Sequence, residues 1–246
     1  ALILPFAINL FKISKGNFYK KIILLIFSTL IVYLILLTGS RNALLAIIIT
    51  TICLYSYKKI LIIIAPIFSF FIGYKFLGET FKNSDNFLNY FVPSHLFIRL
   101  NEFSFYNIPR IDIWRSALSR IKERPFWGWG PSTFSFLNVE NNTVIKIPNQ
   151  LIDAQHSHNI ALEIAHNFGI PLSLLLTSTI FLLLVKGGYL ISKSTNFKNN
   201  FHLKKAWFAS STIVFISHLT DITYYDGKIN ILISILFAGL KCIIDE

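Results

Sequence analysis

The chain has 246 residues, of which 54% are hydrophobic and only 14% charged, with a mean hydropathy of +0.59. So few charges cannot cover a water-soluble surface, which excludes an ordinary soluble enzyme and points to an integral membrane protein. The formal net charge of +11 is then read first as a topology signal and only second as a ligand signal.

Ala1–Phe11 is apolar but too short to cross alone, and reads as the tail of a truncated helix. Complete spans are expected at Ile22–Leu37, Ala43–Tyr57, Ile60–Leu77, Ile170–Ile191, Ala206–Thr220 and Ile229–Ile244. The expected fold class is therefore an all-α polytopic membrane protein with about six transmembrane helices and a long, partly helical loop. Residues 1–77 form a first membrane part, 78–159 the loop region, and 160–246 three further spans with short connections. The chain starts inside an apolar stretch, lacks methionine, and shows no n-region or cleavage site. It is expected to be part of a longer protein rather than a chain with a signal peptide. Cys53 and Cys242 both lie in apolar runs and support neither a disulfide framework nor a cysteine zinc site.

The charges separate by type. Lys12, Lys15, Lys20 and Lys21 precede the first span, and Lys58 and Lys59 separate the second and third. Lys186, Lys193, Lys198, Lys204 and Lys205 separate the fourth and fifth, and Lys241 closes the sixth. Lysine thus marks alternate connections, which the positive-inside rule assigns to the cytoplasm. Arg41, Arg99, Arg110, Arg115, Arg120 and Arg124 all fall on the other side. Arginine offers a planar fork that matches phosphate, whereas lysine is a solvated point charge. Arg99, Arg120 and Arg124 read as surface residues of the loop.

Four constellations carry candidate chemistry. Thr38-Gly-Ser-Arg41-Asn42 joins two spans, with Arg41 directly ahead of a helix start. It is either an anion site at a helix N-terminus or a snorkelling interfacial anchor. Arg110 to Pro125 reads as an amphipathic helix with Arg110, Trp114, Leu118 and Ile121 on one packed face, while Arg115 points elsewhere. An arginine on such a face needs an anion, either a ligand or a structural partner such as Asp112, Glu102 or Asp153. Phe126-Trp-Gly-Trp-Gly-Pro131 is a tight aromatic turn suited to an interfacial belt or to lining a sugar path. His156-Ser-His158-Asn159-x3-Glu163 places two histidines at a helix start, with Asn159 and Glu163 one helical turn apart. A metal site lacks an evident third ligand, so a general base or an orienter of a hydroxyl is preferred. The turn from Asp221 to Lys228 adds two carboxylates that either pair with the arginines, bind an acceptor, or cap the turn. No Asp-x-Asp, Gly-Lys-Ser/Thr loop or Gly-x-Ser-x-Gly occurs, so a cation-dependent nucleotide-sugar transferase is not indicated.

Taken in order and spacing, four motifs resemble the O-antigen ligase/polymerase superfamily. They are Thr38-Gly-Ser-Arg41-Asn-Ala-Leu-Leu-Ala46, Arg110-x3-Trp114-x2-Ala117, Glu123-Arg-Pro-Phe-Trp-Gly128-Trp-Gly130 and His156-Ser-His158-Asn159-x3-Glu163 with Gly169. The resemblance implies a membrane glycosyltransferase of GT-C-like fold in the bacterial inner membrane, with its active site facing the periplasm. It implies an undecaprenyl-diphosphate-linked glycan as donor and lipid A-core or another glycan as acceptor, with no metal, cofactor or nucleic acid. By position, Arg41 and Arg110 match the arginines expected to hold the donor diphosphate, and His158 the histidine expected to assist the acceptor hydroxyl. Trp114, Arg115, His156, Asn159, Glu163 and Asp221 are expected around the substrates. Ligase and polymerase are both compatible with these motifs. A glycolipid or anion transporter is the competing class, but the spans are nearly free of charge at their centres. A non-catalytic scaffold of a polysaccharide complex is the third reading.

Overall fold

The computed structural model describes residues 1–14, 16–38, 40, 42–45, 48–49, 109–135, 145–147, 150–152, 155–193, 201–223 and 225–245. The expected span Ile60–Leu77, most of Ala43–Tyr57, and Arg41, Cys53, His95, Arg99, Glu102, Asp153 and Lys198 lie outside the described residues. Within them the order is α1 (Leu4–Ile13), α2 (Phe18–Thr38), α3 (Pro109–Glu123), β1 (Ile145–Ile147), β2 (Gln150–Ile152), α4 (Ile160–Phe168), α5 (Ile170–Lys193), α6 (Phe201–His218) and α7 (Gly227–Asp245).

Among the described residues three stretches are long and apolar enough to cross a membrane: Phe18–Ile35 in α2, Ile170–Lys193 and Gly227–Asp245. Only 6% of the α2 stretch is buried in the protein, and 17% of each of the other two. Side chains such as Leu174, Leu175, Phe181, Leu182 and Ile231 stand exposed along them. Faces this apolar need a hydrocarbon environment, so the protein is a membrane protein.

The expected fifth span is a helix but is not one of these three. Its reason is location. Helix α6 packs against α1, α5 and α7, and its Ala206, Ala209, Ser210, Ser211, Ile213 and Val214 are all buried. A helix enclosed by protein tolerates hydroxyls that lipid would reject, provided each finds a partner. Ser210 donates to the Leu2 carbonyl at 2.7 Å, and Ser211 to the Trp207 carbonyl at 3.0 Å. Trp207 locks α6 to α7: its indole N–H donates to the Leu236 carbonyl at 2.8 Å, and its ring lies where a Cβ on Gly239 would collide. Phe6 of α1 meets the same ring edge-on at 5.5 Å. Leu184, Leu240 and Ile244, flanked by Phe208 and Phe215, complete this core.

The fold is all-α as expected, and the loop region adds one small feature to it. β1 and β2 form a two-stranded antiparallel ladder, with Ile145 opposite Ile152 and Ile147 opposite Gln150. The β-branched isoleucines of this stretch favour a pleated backbone, and the short spacing suits a hairpin.

The helix ends divide the lysines unevenly, with Lys228 in the first turn of α7 at one end and four at the other. Lys193 lies in the last turn of α5, Lys204 and Lys205 near the start of α6, and Lys241 near the end of α7. The starts of α5 and α7 and the end of α6 lie at the opposite end, beside α4.

Candidate functional site

α4 is a short helix whose start is built by its own side chains. Asn159 takes an extended backbone, and its Oδ1 accepts from the Ala161 and Leu162 amides at 2.9 and 3.2 Å. This is N-capping of otherwise orphaned donors. Its amide group meanwhile donates to the Leu219 carbonyl at 2.9 Å, which ties α4 to the end of α6. Asn159 is thus an anchor between two elements.

His158, just before the cap, has φ +52. A left-handed conformation is uncommon for a residue with a Cβ and costs about 1–3 kcal/mol unless the surroundings impose it. The surroundings are visible. Ser157 is wholly buried, its amide donates to Glu163 Oε2 at 2.8 Å, and its hydroxyl to the Asn159 carbonyl at 3.0 Å. The imidazole that results is half-exposed, with Nδ1 3.2 Å from Asp221 Oδ1. Asp221 also accepts from the Ile222 amide at 2.9 Å, so the carboxylate is fixed by its own turn. A carboxylate only accepts, so a neutral imidazole in this contact donates from Nδ1 and presents at Nε2 the lone pair that a base needs.

Behind this pair lies a buried polar cluster. Glu163 is 1% exposed. Its Oε1 accepts from the Tyr225 hydroxyl at 2.7 Å and lies 3.5 Å from His156 Nδ1. Burial pushes the Glu163 carboxyl up, but the bonds from Tyr225 and Ser157 together with nearby His156 outweigh it and hold the group below its ordinary value. The Tyr225 ring stacks on His156 at 4.4 Å, and its hydroxyl accepts from Asn167 at 3.0 Å. Asn167 in turn meets His166 Nδ1 at 3.1 Å. His166 is wholly buried against the edge of Phe134, and burial lowers its pKa.

α3 approaches from the other side. Its buried face is Ile113, Ala117, Arg120 and Ile121, which corrects the expected face at two positions. Leu118 is exposed, and Arg120, read as a surface residue, is 4% exposed. The buried stripe is rotated relative to the expected one because Ile113, Ala117 and Phe134 form the core beneath α3, with Leu162 of α4 against it. Arg110 and Trp114 sit half-buried at the edge of that stripe. Arg110 Nη1 donates to Asn42 Oδ1 in a long contact of 3.4 Å, and Asn42 belongs to the short helical stretch capped by Ser40. Arg115 is exposed and pairs with Asp112 at 3.0 Å, one of the three acids considered as a structural partner for Arg110.

The aromatic turn has a structural task. The Trp129 and Gly130 amides donate to the His166 and Asn167 carbonyls at 2.7 and 3.0 Å, and the Ile170 amide donates to the Pro125 carbonyl at 2.7 Å. The turn therefore satisfies the last carbonyls of α4, which a helix end leaves orphaned. Contact is backbone to backbone. A Cβ on Gly128 would lie 2.5 Å from the Asn167 carbonyl carbon, and one on Gly169 would collide with the Phe126 carbonyl. Trp129 also donates its indole N–H to the Arg120 carbonyl at 2.9 Å and carries Arg124 over its ring at 4.2 Å. Trp127 stands 90% exposed.

His158, His156, Asn159, Glu163 and Asp221 are thus brought together. Arg110 and Trp114 lie on α3, which packs against α4, with Arg110 in contact with Asn42. Arg115 stands apart, and Arg41 lies outside the described residues. Among the described residues no group of three or more His, Cys, Asp or Glu is arranged to hold a metal ion. Tyr225, Ser157 and Asn167 were not singled out from sequence. The signal at Tyr225 was an aromatic pair inside a turn noted only for its acids.

These features define a helical membrane protein with a polar His–Asp centre at one end of its helices. The model of the O-antigen ligase family matches residues 25–177, which contain all four motifs, and the chain belongs to that family. Comparison with curated proteins finds no match. Asp221 and Tyr225 lie beyond the matched stretch and come from the α6–α7 turn.

Proposed function

We propose that this protein transfers a glycan from a polyprenyl diphosphate carrier, undecaprenyl diphosphate in bacteria, to an acceptor hydroxyl on lipid A-core. The observation that carries the reading is the His158–Asp221 pair, held in a strained turn beside α3 in a chain of the O-antigen ligase family. His158 is the group for the acceptor: Asp221 fixes its tautomer, and Nε2 takes up or orients the hydroxyl proton as the sugar–oxygen bond forms. Arg110 and Arg41 are the groups for the donor. The bond that breaks leaves its electron pair on the diphosphate, and guanidinium groups stabilise charge developing there. The Arg110–Asn42 contact supports grouping these two, since Asn42 follows Arg41 in the chain. His156, Asn159, Glu163 and Asp221 shape the turn, and Trp114 of α3 is a candidate contact for the substrates, whereas Arg115 stands apart in its pair with Asp112. No metal is invoked in this scheme.

The helix ends support the periplasmic assignment. Lys193, Lys204, Lys205 and Lys241 lie at one end of α5, α6 and α7, against Lys228 alone at the other end beside His158 and Asp221, and by the positive-inside rule this excess supports a site facing outward from the inner membrane. Deleting the gene and resolving surface glycans on a gel tests the reading. The expected result is lipid A-core devoid of polymer, with long chains accumulating on the carrier. Core bearing a single repeat unit indicates a polymerase instead, and an unchanged pattern contradicts both.

A further inference from the structure

We propose that Tyr225 and Glu163 act as a clasp that positions His158 for transfer, so that the α6–α7 turn sets the competence of the site. This rests on the reading of His158 as the acceptor group.

The two halves of the His158–Asp221 pair come from separate turns, one ahead of α4 and one after α6. A contact of 3.2 Å between half-exposed side chains contributes little by itself to holding those turns in register. Glu163 joins both. Oε2 takes the Ser157 amide, immediately before His158. Oε1 takes the Tyr225 hydroxyl, four residues after Asp221. Tyr225 adds a second tie by stacking on His156 and a third by accepting from Asn167. The carboxylate is 1% exposed, so it acts on the reaction through the turn rather than by touching substrate. A buried carboxylate with its lone pairs engaged is a rigid mount, because releasing any one partner leaves charge uncompensated. The left-handed φ of His158 is the strain this mount sustains. Glu163 and Tyr225 are positioning residues.

The test uses the full-length protein in proteoliposomes, with a polyprenyl-diphosphate-linked oligosaccharide as donor and lipid A-core as acceptor. Tyr225→Phe keeps the ring and removes the hydroxyl. The expected result is a fall of about tenfold in kcat with the donor KM within about twofold. In parallel, modification of His158 by diethyl pyrocarbonate, read by mass spectrometry, is expected to speed up severalfold as the imidazole is released. Glu163→Gln, which keeps shape and one acceptor, is expected to change both readouts in the same direction. Unchanged kcat and unchanged labelling in both variants overturn the clasp. Less protein in the membrane with kcat per molecule intact also overturns it, because that is a purely structural role. If labelling accelerates as expected but His158→Asn transfers glycan at the wild-type rate, the reading of His158 fails instead.

Discussion

At the scale of single residues, function and stability pull His158 in different directions. Its left-handed backbone is one that asparagine adopts more readily. His158→Asn is therefore expected to keep the melting temperature close to wild type while removing transfer, as measured by thermal unfolding in detergent and by the vesicle assay. Two buried groups make stability depend on pH. The folded pKa of His166 is lowered by burial from an ordinary 6.5, so below about that pH the unfolded chain takes up a proton that the folded one refuses, and stability falls. The carboxyl of Glu163 is held below its ordinary 4.5. Its contribution is complete above that value and is lost as pH falls through the lower folded pKa. Melting temperature is thus expected to drop in two stages on acidification, and Glu163→Gln to remove the lower stage. His158, Asn159 and Glu163 were legible as a cluster from their spacing. Their division of labour was not, because burial of Glu163 depends on Tyr225, sixty-two residues away in the chain.

At the scale of elements, α4 is the piece on which the site is assembled, and it is fixed at both ends. Asn159→Ala removes the cap and is expected to cost about 1 kcal/mol from the cap alone, with a further loss from the Leu219 contact; chemical denaturation measures the sum. Gly169→Ala is expected to be worse. It places a Cβ at φ +92 and against the Phe126 carbonyl, disrupting both the α4–α5 junction and the turn docked on it. The glycines and tryptophans of that turn were legible as a motif, and the tight turn was expected. Its use as a cap for α4 was not, since amides pairing with the His166 and Asn167 carbonyls leave no mark in side-chain chemistry. The face of α3 was misread for a related reason. Arg110, Trp114, Leu118 and Ile121 obey helical spacing, and so do Ile113, Ala117, Arg120 and Ile121; the core residue Phe134 selects the second stripe.

At the scale of the whole molecule, composition and apolar runs were enough to identify a membrane protein and to place α2, α5 and α7 within a few residues. Hydropathy is a measure of contact with lipid, which is why it described α6 less well: that helix is enclosed by three others. The arrangement makes a topological prediction. With Cys53 and Cys242 replaced by serine, a cysteine at exposed Asp226 is expected to react with a membrane-impermeant maleimide added from the periplasmic side. A cysteine at exposed Ser192 is expected to react only after the inner membrane is opened. The central claim is that an arginine-held diphosphate is the leaving group of a glycan transfer, and the most direct measurement is transfer by Arg110→Ala in proteoliposomes. The expected result is protein present in the membrane at wild-type amount with transfer reduced by at least about a hundredfold. Transfer at the wild-type rate would contradict the account.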